Sequence, residues 1–326
     1  LSEILWLVLA SVLVAEFVNG WTDAPNAITT VVSTKVMTPR QAVLMAVLLN
    51  IAGTLSGTAV AYTIGKGIVD ASVLTPEMIL CAMLSLIAWS SFAAYFGIPT
   101  SESHALVAGL AGAALAAAGP HALLASGWSK IGLGLIFSLC LGFGLSYLIT
   151  RLVILVSYRL TARSSFTVFS RLQIISSMFV AYNHGLNDGQ KFIGIFAMTL
   201  VIGGILPQFA IPLWVILLCS LVMGIGTSIG GWRIIKKVGV EMVDIQPWQG
   251  FSAETGAGAV ILGASLLGIP LSTTHCVNTA IIGSAAAKRM SGVRWLIARN
   301  ILIAWILTFP ICGTLSFLAT LLVRSF

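Results

Sequence analysis

Two short phrases in this chain carry hydroxyls and a histidine in one register: "GIPTSESHALVAG" at residues 97–109 and "GIPLSTTHCVNTA" at residues 268–280. Pro99 and Pro270, Ser101 and Ser272, Ser103 and Thr274, and His104 and His275 are each 171 residues apart. A proline at the start of a helix, followed by Ser and Thr, leaves several backbone N–H groups unpaired and surrounds them with hydroxyl donors. The positive end of the helix dipole lies there too, so two such starts facing each other make an anion site. Ser101, Ser103, Ser272, Thr273 and Thr274 are its candidate donors. One such phrase alone would read as an ordinary cap. Its duplication favours a site.

A second pair of phrases follows the same logic. "NGWTDAPNAITT" at residues 19–30 and "NHGLNDGQKFIG" at residues 183–194 align Thr22 with Asn187, Asp23 with Asp188 and Asn26 with Lys191, at a constant offset of 165. A carboxylate in so apolar a setting costs at least roughly 2.5–3.5 kcal/mol on insertion scales, so something must compensate it. On a helix, Lys191 and His184 both share a face with Asp188. Lys191 is therefore either an ion-pair partner or a cation of the anion site, and is counted with the anion-binding set. Asp23 has no cation near it in sequence. Its expected partner is Na⁺, with Thr22, Asn26, Asn187, Asp188 and exposed carbonyls completing an oxygen shell. Glu254, in "FSAETGAGA", is a further candidate cation or proton site, and Glu102 caps a half-helix or shields the anion. His104 and His275 titrate near neutrality when unperturbed, and are either proton carriers or packed donors.

The elements that hold these groups are membrane helices. The chain has 326 residues, 58% apolar and 8% charged, with a mean hydropathy of +1.03, whereas a soluble domain carries roughly 25% charged residues. Apolar segments fall at residues 4–36, 41–65, 76–97, 104–119 and 131–157, and again at 169–206, 209–230, 248–268, 275–290 and 293–322. The two aspartates sit in stretches of more than 30 residues, longer than a ~30 Å core requires, which predicts a broken or unwound helix at each. The short segments 104–119 and 275–290 read as re-entrant half-helices. The first apolar segment runs into "NGWTDAPNA" without a small-residue cleavage pattern, so no cleavable signal is expected. The five cysteines are odd in number and lie in apolar segments, which points to packing and not to a disulfide framework.

Five segments on either side of the basic loop "SYRLTARSSFTVFSR" imply two halves of opposite topology, residues 1–157 and 169–326, joined by a cytoplasmic basic linker at 158–168. The expected fold is thus an all-α polytopic membrane protein of two inverted-topology repeats, the architecture of many secondary transporters. With that loop in the cytoplasm, Lys35, Arg40, Arg233, Lys236, Lys237, Lys288, Arg289 and Arg294 share its side, and only Lys66, Lys130 and Arg324 do not. The net charge of +7 is therefore a topology signal and not a nucleic-acid surface. Both termini are expected outside, in a plasma (inner) membrane.

The twin "TDAPNA" and "LNDGQK" phrases, the twin "PTSESH" and "PLSTTH" phrases, and "GGWRIIKKVG" followed by "GFSAETGAGA" together resemble the inorganic phosphate transporter family, from about Glu16 to Arg289. The resemblance implies symport of phosphate with Na⁺ or H⁺, and a homodimer. It departs at Thr22, where relatives typically have the Asn found here at Asn187, and at Asn50, where some carry a carboxylate. Phosphate also fits better than sulfate on chemical grounds, because carboxylates beside the site accept a hydrogen bond from a protonated oxygen but repel a fully ionised anion. The expected function is Na⁺-coupled phosphate symport by alternating access, with Na⁺ as the coupling ion. Its rivals are proton-coupled phosphate or sulfate symport, an anion channel, and an intramembrane aspartyl hydrolase, of which only the last is an enzyme.

Overall fold

The computed structural model describes residues 3–325, with helices throughout and no β-strand among the described residues. The first half runs α1 (Glu3–Ser33), α2 (Pro39–Leu55), α3 (Ala59–Gly67), α4 (Pro76–Tyr95), α5 (Glu102–Ala118), α6 (Ala125–Ile136) and α7 (Gly142–Ser157). The second runs α8 (Ala162–His184), α9 (Gln190–Ile202), α10 (Leu213–Ile229), α11 (Trp232–Lys236), α12 (Pro247–Leu266), α13 (Thr273–Lys288) and α14 (Trp295–Arg324). Each half has a long leading helix, a bent pair, a helix ending in Gly-Ile-Pro, a shorter helix, a 3₁₀ turn and a long closing helix. Even the isolated bridges correspond, Val69 with Leu123 and Val243 with Val293.

Local sequence accounts for the boundaries. Thr38 and Gln41 form a reciprocal capping box ahead of Pro39, and Pro76 and Pro247 likewise open α4 and α12. At the other ends of α4 and α12, Gly97 and Gly268 take φ of +66° and +62°. Ile98 N–H and Ile269 N–H then reach back to the carbonyls of Ala93 (2.9 Å) and Ala264 (2.8 Å), the Schellman closure that only a left-handed residue permits cheaply. The chain is thereby turned into the two hydroxyl-bearing helix starts.

Packing is inverted with respect to a soluble protein. Leu44, Leu48, Leu84, Leu152, Leu221 and Leu318 are exposed, while Asp23, Glu102, Asp188, Lys191 and Glu254 are buried. Four helical stretches, Glu3–Ser33, Pro76–Tyr95, Ala125–Ser157 and Trp295–Arg324, are long and apolar enough to cross a bilayer. An apolar exterior around a polar interior is what a lipid solvent selects, and the protein is a multi-pass membrane protein.

Two expectations about helix breaks need correction. Glu3–Ser33 is one unbroken helix straight through "TDAPNA". Pro25 removes a single hydrogen bond, and the side chains of Thr22, Asp23 and Asn26 find partners on other helices, so the backbone has no need to unwind. At the second aspartate the helix widens into a π turn, Gly185–Gly189, and continues as α9. The true breaks lie elsewhere: α2 and α3 meet at 67°, and α10 meets Trp232–Met242 at 57°. The short helices start earlier than expected, α5 at Glu102 and α13 at Thr273, with Ser101 and Ser272 as their side-chain caps. Four of the five cysteines are buried, and Cys140 is exposed.

Candidate functional site

Five helix segments far apart in sequence converge on one buried polar cluster. Thr274, in the first turn of α13, donates to Asp23 Oδ1 at 2.7 Å, and its neighbour Thr273 donates to Asp188 Oδ2 at 2.6 Å. Asn26 Nδ2 donates to Thr274 Oγ1 at 2.9 Å and to Thr273 Oγ1 at 3.3 Å. Adjacent hydroxyls on one helix start therefore bridge the two repeat-related aspartates. Lys191 closes the ring, paired with Asp188, bonded to Ser103 at the start of α5, and donating to Leu271 O at 2.8 Å. Ser103 donates to the same carbonyl at 3.0 Å.

The structure pairs Lys191 with Asp188 and also brings its ammonium to the Ser103 hydroxyl of the other half-helix. Ser101 and Ser272 serve as N-caps, each accepting from the backbone N–H three residues on, His104 and His275, at 3.2 Å. Thr22 sits beside the cluster and donates to Glu102 Oε1 at 2.8 Å, whose other oxygen accepts from Ser90. Asn187 donates to Ser265 Oγ and Ile269 O, leaving its own carbonyl oxygen buried and unpartnered. Glu254 lies apart from this cluster, its two oxygens taken by Thr30 and Ser176. The rings of His104 and His275 meet edge to face with centroids 4.5 Å apart, Phe309 lies 4.8 Å from His104 and Trp305 4.0 Å from His275, and neither Nδ1 has a partner among the described residues.

Three functional neighbours escaped sequence reasoning or were given no site role. His184 Nε2 lies 3.4 Å from Asp188 Oδ2, and its ligand atom, with those of Asp23 and Asp188, falls within a 4.8 Å group. Asn50 holds the other ring nitrogen at 3.1 Å. Glu16 is fully buried with one oxygen unpartnered and the other accepting from Asn19 at 3.3 Å. A signal for Glu16 was available: Glu16, Asn19, Asp23, Asn26 and Thr30 are spaced three and four apart, so they line one face of α1 over about 21 Å. That stripe joins Glu16, the aspartate cluster and Glu254.

Chemically, the centre combines hard oxygen donors with hydroxyl and ammonium donors, all on buried side chains. Two carboxylates against one lysine leave an excess of negative charge, which suits a small hard cation. Four threonine, serine and lysine groups beside it suit an oxyanion.

Comparison with known proteins agrees with this chemistry. The model of the phosphate transporter family matches residues 19–316. A Bacillus subtilis protein named a probable low-affinity inorganic phosphate transporter is 41% identical over 96% of this chain and 95% of its own length. A Rhizobium meliloti protein of the same name is 41% identical over 94% and 93% respectively. A solved structure described as the sodium-dependent phosphate transporter superposes with a TM-score of 0.88 at 24% identity, covering 99% of this chain and all of that one, and so shares its fold. With its family model spanning nearly the whole length and with relatives matched end to end, this chain belongs to the phosphate transporter family, a family of transporters and not of enzymes.

Proposed function

We propose that the protein is a secondary active transporter that carries inorganic phosphate together with Na⁺ by alternating access. The observation that carries the reading is the bridge Asp23–Thr274–Asn26–Thr273–Asp188, which joins the repeat-related carboxylates to the hydroxyl-bearing start of α13. Phosphate is held by Ser103, Thr273, Thr274 and Lys191, with the helix starts capped by Ser101 and Ser272 supplying N–H groups and dipoles. Na⁺ is held by Asp23, Asn26, Asn187 and Asp188 with Thr22 beside them. The unpartnered Asn187 carbonyl oxygen supports this, because it is an acceptor awaiting a positive partner. Glu254 serves as a separate cation station further along α1. The sodium dependence in the structural neighbour's description supports the choice of ion.

The two halves, residues 1–157 and 169–326, work as inverted repeats about the basic linker 158–168, with both termini outside and the protein placed as a homodimer in the plasma membrane. In this arrangement the two carboxylates repel the anion until Na⁺ neutralises them, so the ions load together. The test is [³²P]phosphate uptake into proteoliposomes with Na⁺ and pH gradients imposed separately. Uptake is expected from an inward Na⁺ gradient; uptake driven by the pH gradient alone assigns the coupling to H⁺ instead.

A further inference from the structure

Lys66 and Lys130 are two of the three basic residues that the sequence leaves on the side opposite the basic loops. In the structure both line one open cavity of about 420 Å³, together with Tyr62, Thr63, Ser126 and Gly268. No acidic side chain lines it. Among the described residues neither lysine has a carboxylate within ion-pair distance, and Asp70, the nearest acid in sequence to Lys66, accepts instead from Ser72. Lys130 Nζ donates to Thr63 Oγ1 at 3.1 Å, using one of its three hydrogens. Lys66 Nζ lies 5.2 Å from the Phe209 ring centroid, which holds it without neutralising it. The two positive charges face a common space with no carboxylate among the described residues to balance them.

The non-helical segment 268–271 makes contacts both on the cavity side and on the side of the central cluster. Gly268 O accepts from Thr63 Oγ1 (2.7 Å) on the cavity side. Ile269 O accepts from Asn187 (3.2 Å), and Leu271 O from Lys191 (2.8 Å) and Ser103 (3.0 Å), on the cluster side. Thr63 thus touches a cavity lysine and the first carbonyl of that segment. The helices that carry the lysines are locked together: a Cβ on Gly127 of α6 would lie 1.8 Å from Gly67 O at the end of α3.

We propose that Lys66 and Lys130 form a second oxyanion site, an entry vestibule that holds a phosphate dianion before it passes residues 268–271 to the central hydroxyls. As a transport step this rests on the reading of the protein as a phosphate carrier; as a binding site it does not. A doubly charged oxyanion gains from two ammonium groups at once, and a positive mouth raises the local substrate concentration and on-rate. The vestibule also supplies the net positive field that the acidic centre lacks.

Two measurements test it on the full chain in proteoliposomes. In phosphate uptake, the double variant Lys66→Gln/Lys130→Gln should raise KM about tenfold with Vmax kept and should lose most of its ionic-strength dependence. The Arg/Arg pair should restore both. Ser126→Glu, which adds a charge at an exposed cavity position and leaves both lysines in place, should raise KM in the same way. A KM within twofold of wild type in folded Gln/Gln and Ser126→Glu variants overturns the vestibule. The second measurement needs no transport. Millimolar phosphate should slow acylation of Lys66 and Lys130, but not of exposed Lys35, in a Ser103→Ala/Thr274→Ala background. Equal acylation with and without phosphate overturns the site, whereas protection together with no phosphate uptake by the wild-type protein would leave the site standing and remove only the carrier reading.

Discussion

At the level of residues, the two aspartates look equivalent in sequence, yet the structure makes them unlike. Asp188 is tied to Lys191 and faces His184, whereas Asp23, though close to both Asp188 and His184, accepts its hydrogen bond from the Thr274 hydroxyl and has no ion-pair partner among the described residues. Their Asn variants should therefore differ. Asp23→Asn preserves shape and keeps an oxygen for Thr274, so it should abolish Na⁺-dependent uptake with little loss of stability. Asp188→Asn strands a buried ammonium, which costs about 3–5 kcal/mol when a buried pair loses one member. It should lower the thermal midpoint in detergent markedly as well as stopping uptake. Melting curves of the two purified variants decide this, and equal midpoints would show that Lys191 is not held by Asp188. For the anion, Ser103→Ala with Thr274→Ala removes two hydroxyls worth about 0.5–1.5 kcal/mol each, or more if phosphate is charged where it binds. Phosphate affinity should fall by roughly ten- to hundredfold, and wild-type affinity in the double variant would remove these residues from the site.

At the level of elements, the site depends on helices approaching closely enough for short side chains to meet. Gly20 of α1 has no room for a methyl: a Cβ there would lie 2.3 Å from Met223 O and 3.0 Å from Thr227 N on α10. Gly226 makes the reciprocal approach to Phe17 O at 2.2 Å. Small residues at helix crossings are the usual means of tight packing in lipid, where water supplies no drive. Gly20→Ala should push α1 from α10, displace Asp23 and abolish uptake. Gly132→Ala, with nothing within 4 Å, should be neutral or raise stability by up to about 1 kcal/mol through helix propensity. Thermal midpoints of the pair measure the contrast, and a tolerated Gly20→Ala would mean that this crossing is not tight in the membrane.

At the level of the whole molecule, the charge count at the centre sets how the ions act on each other. If the proposed site is right, two aspartates and one lysine should receive a phosphate anion only together with a further cation. Na⁺ should tighten phosphate, and linkage then requires phosphate to tighten Na⁺ by the same factor. Phosphate titrations at zero and saturating Na⁺, with Na⁺ titrations at zero and saturating phosphate, give the two factors. A phosphate affinity that ignores Na⁺ would end the coupled reading. An exposed change remote from the centre, Arg163→Gln, should alter neither factor.

Much of this was legible in the linear chain. Composition set the solvent, because an apolar chain with buried charges has no stable soluble form. Two constant offsets, 165 and 171, marked Asp23, Asp188, Ser103 and Thr274 without any coordinates, since duplicated polar phrases are costly in lipid unless they are used. Pro99 and Pro270 already announced the helix starts of α5 and α13, while the left-handed turns at Gly97 and Gly268 that aim them came only from the structure. Other features were decided only in three dimensions. Whether "TDAPNA" breaks its helix depends on partners from α5 and α13, more than 70 residues away, and those partners let the backbone stay paired. Residue type marked Glu254 as a further candidate cation or proton site, but only helix position shows that it lies apart from the aspartates, because its partners Thr30 and Ser176 lie further along α1 and α8. The convergence of Lys66 and Lys130 on one cavity was equally invisible, since it follows from the contact of Gly67 with Gly127 across 60 residues of chain. Local spacing reports which face of a helix a residue occupies; only packing reports what that face meets.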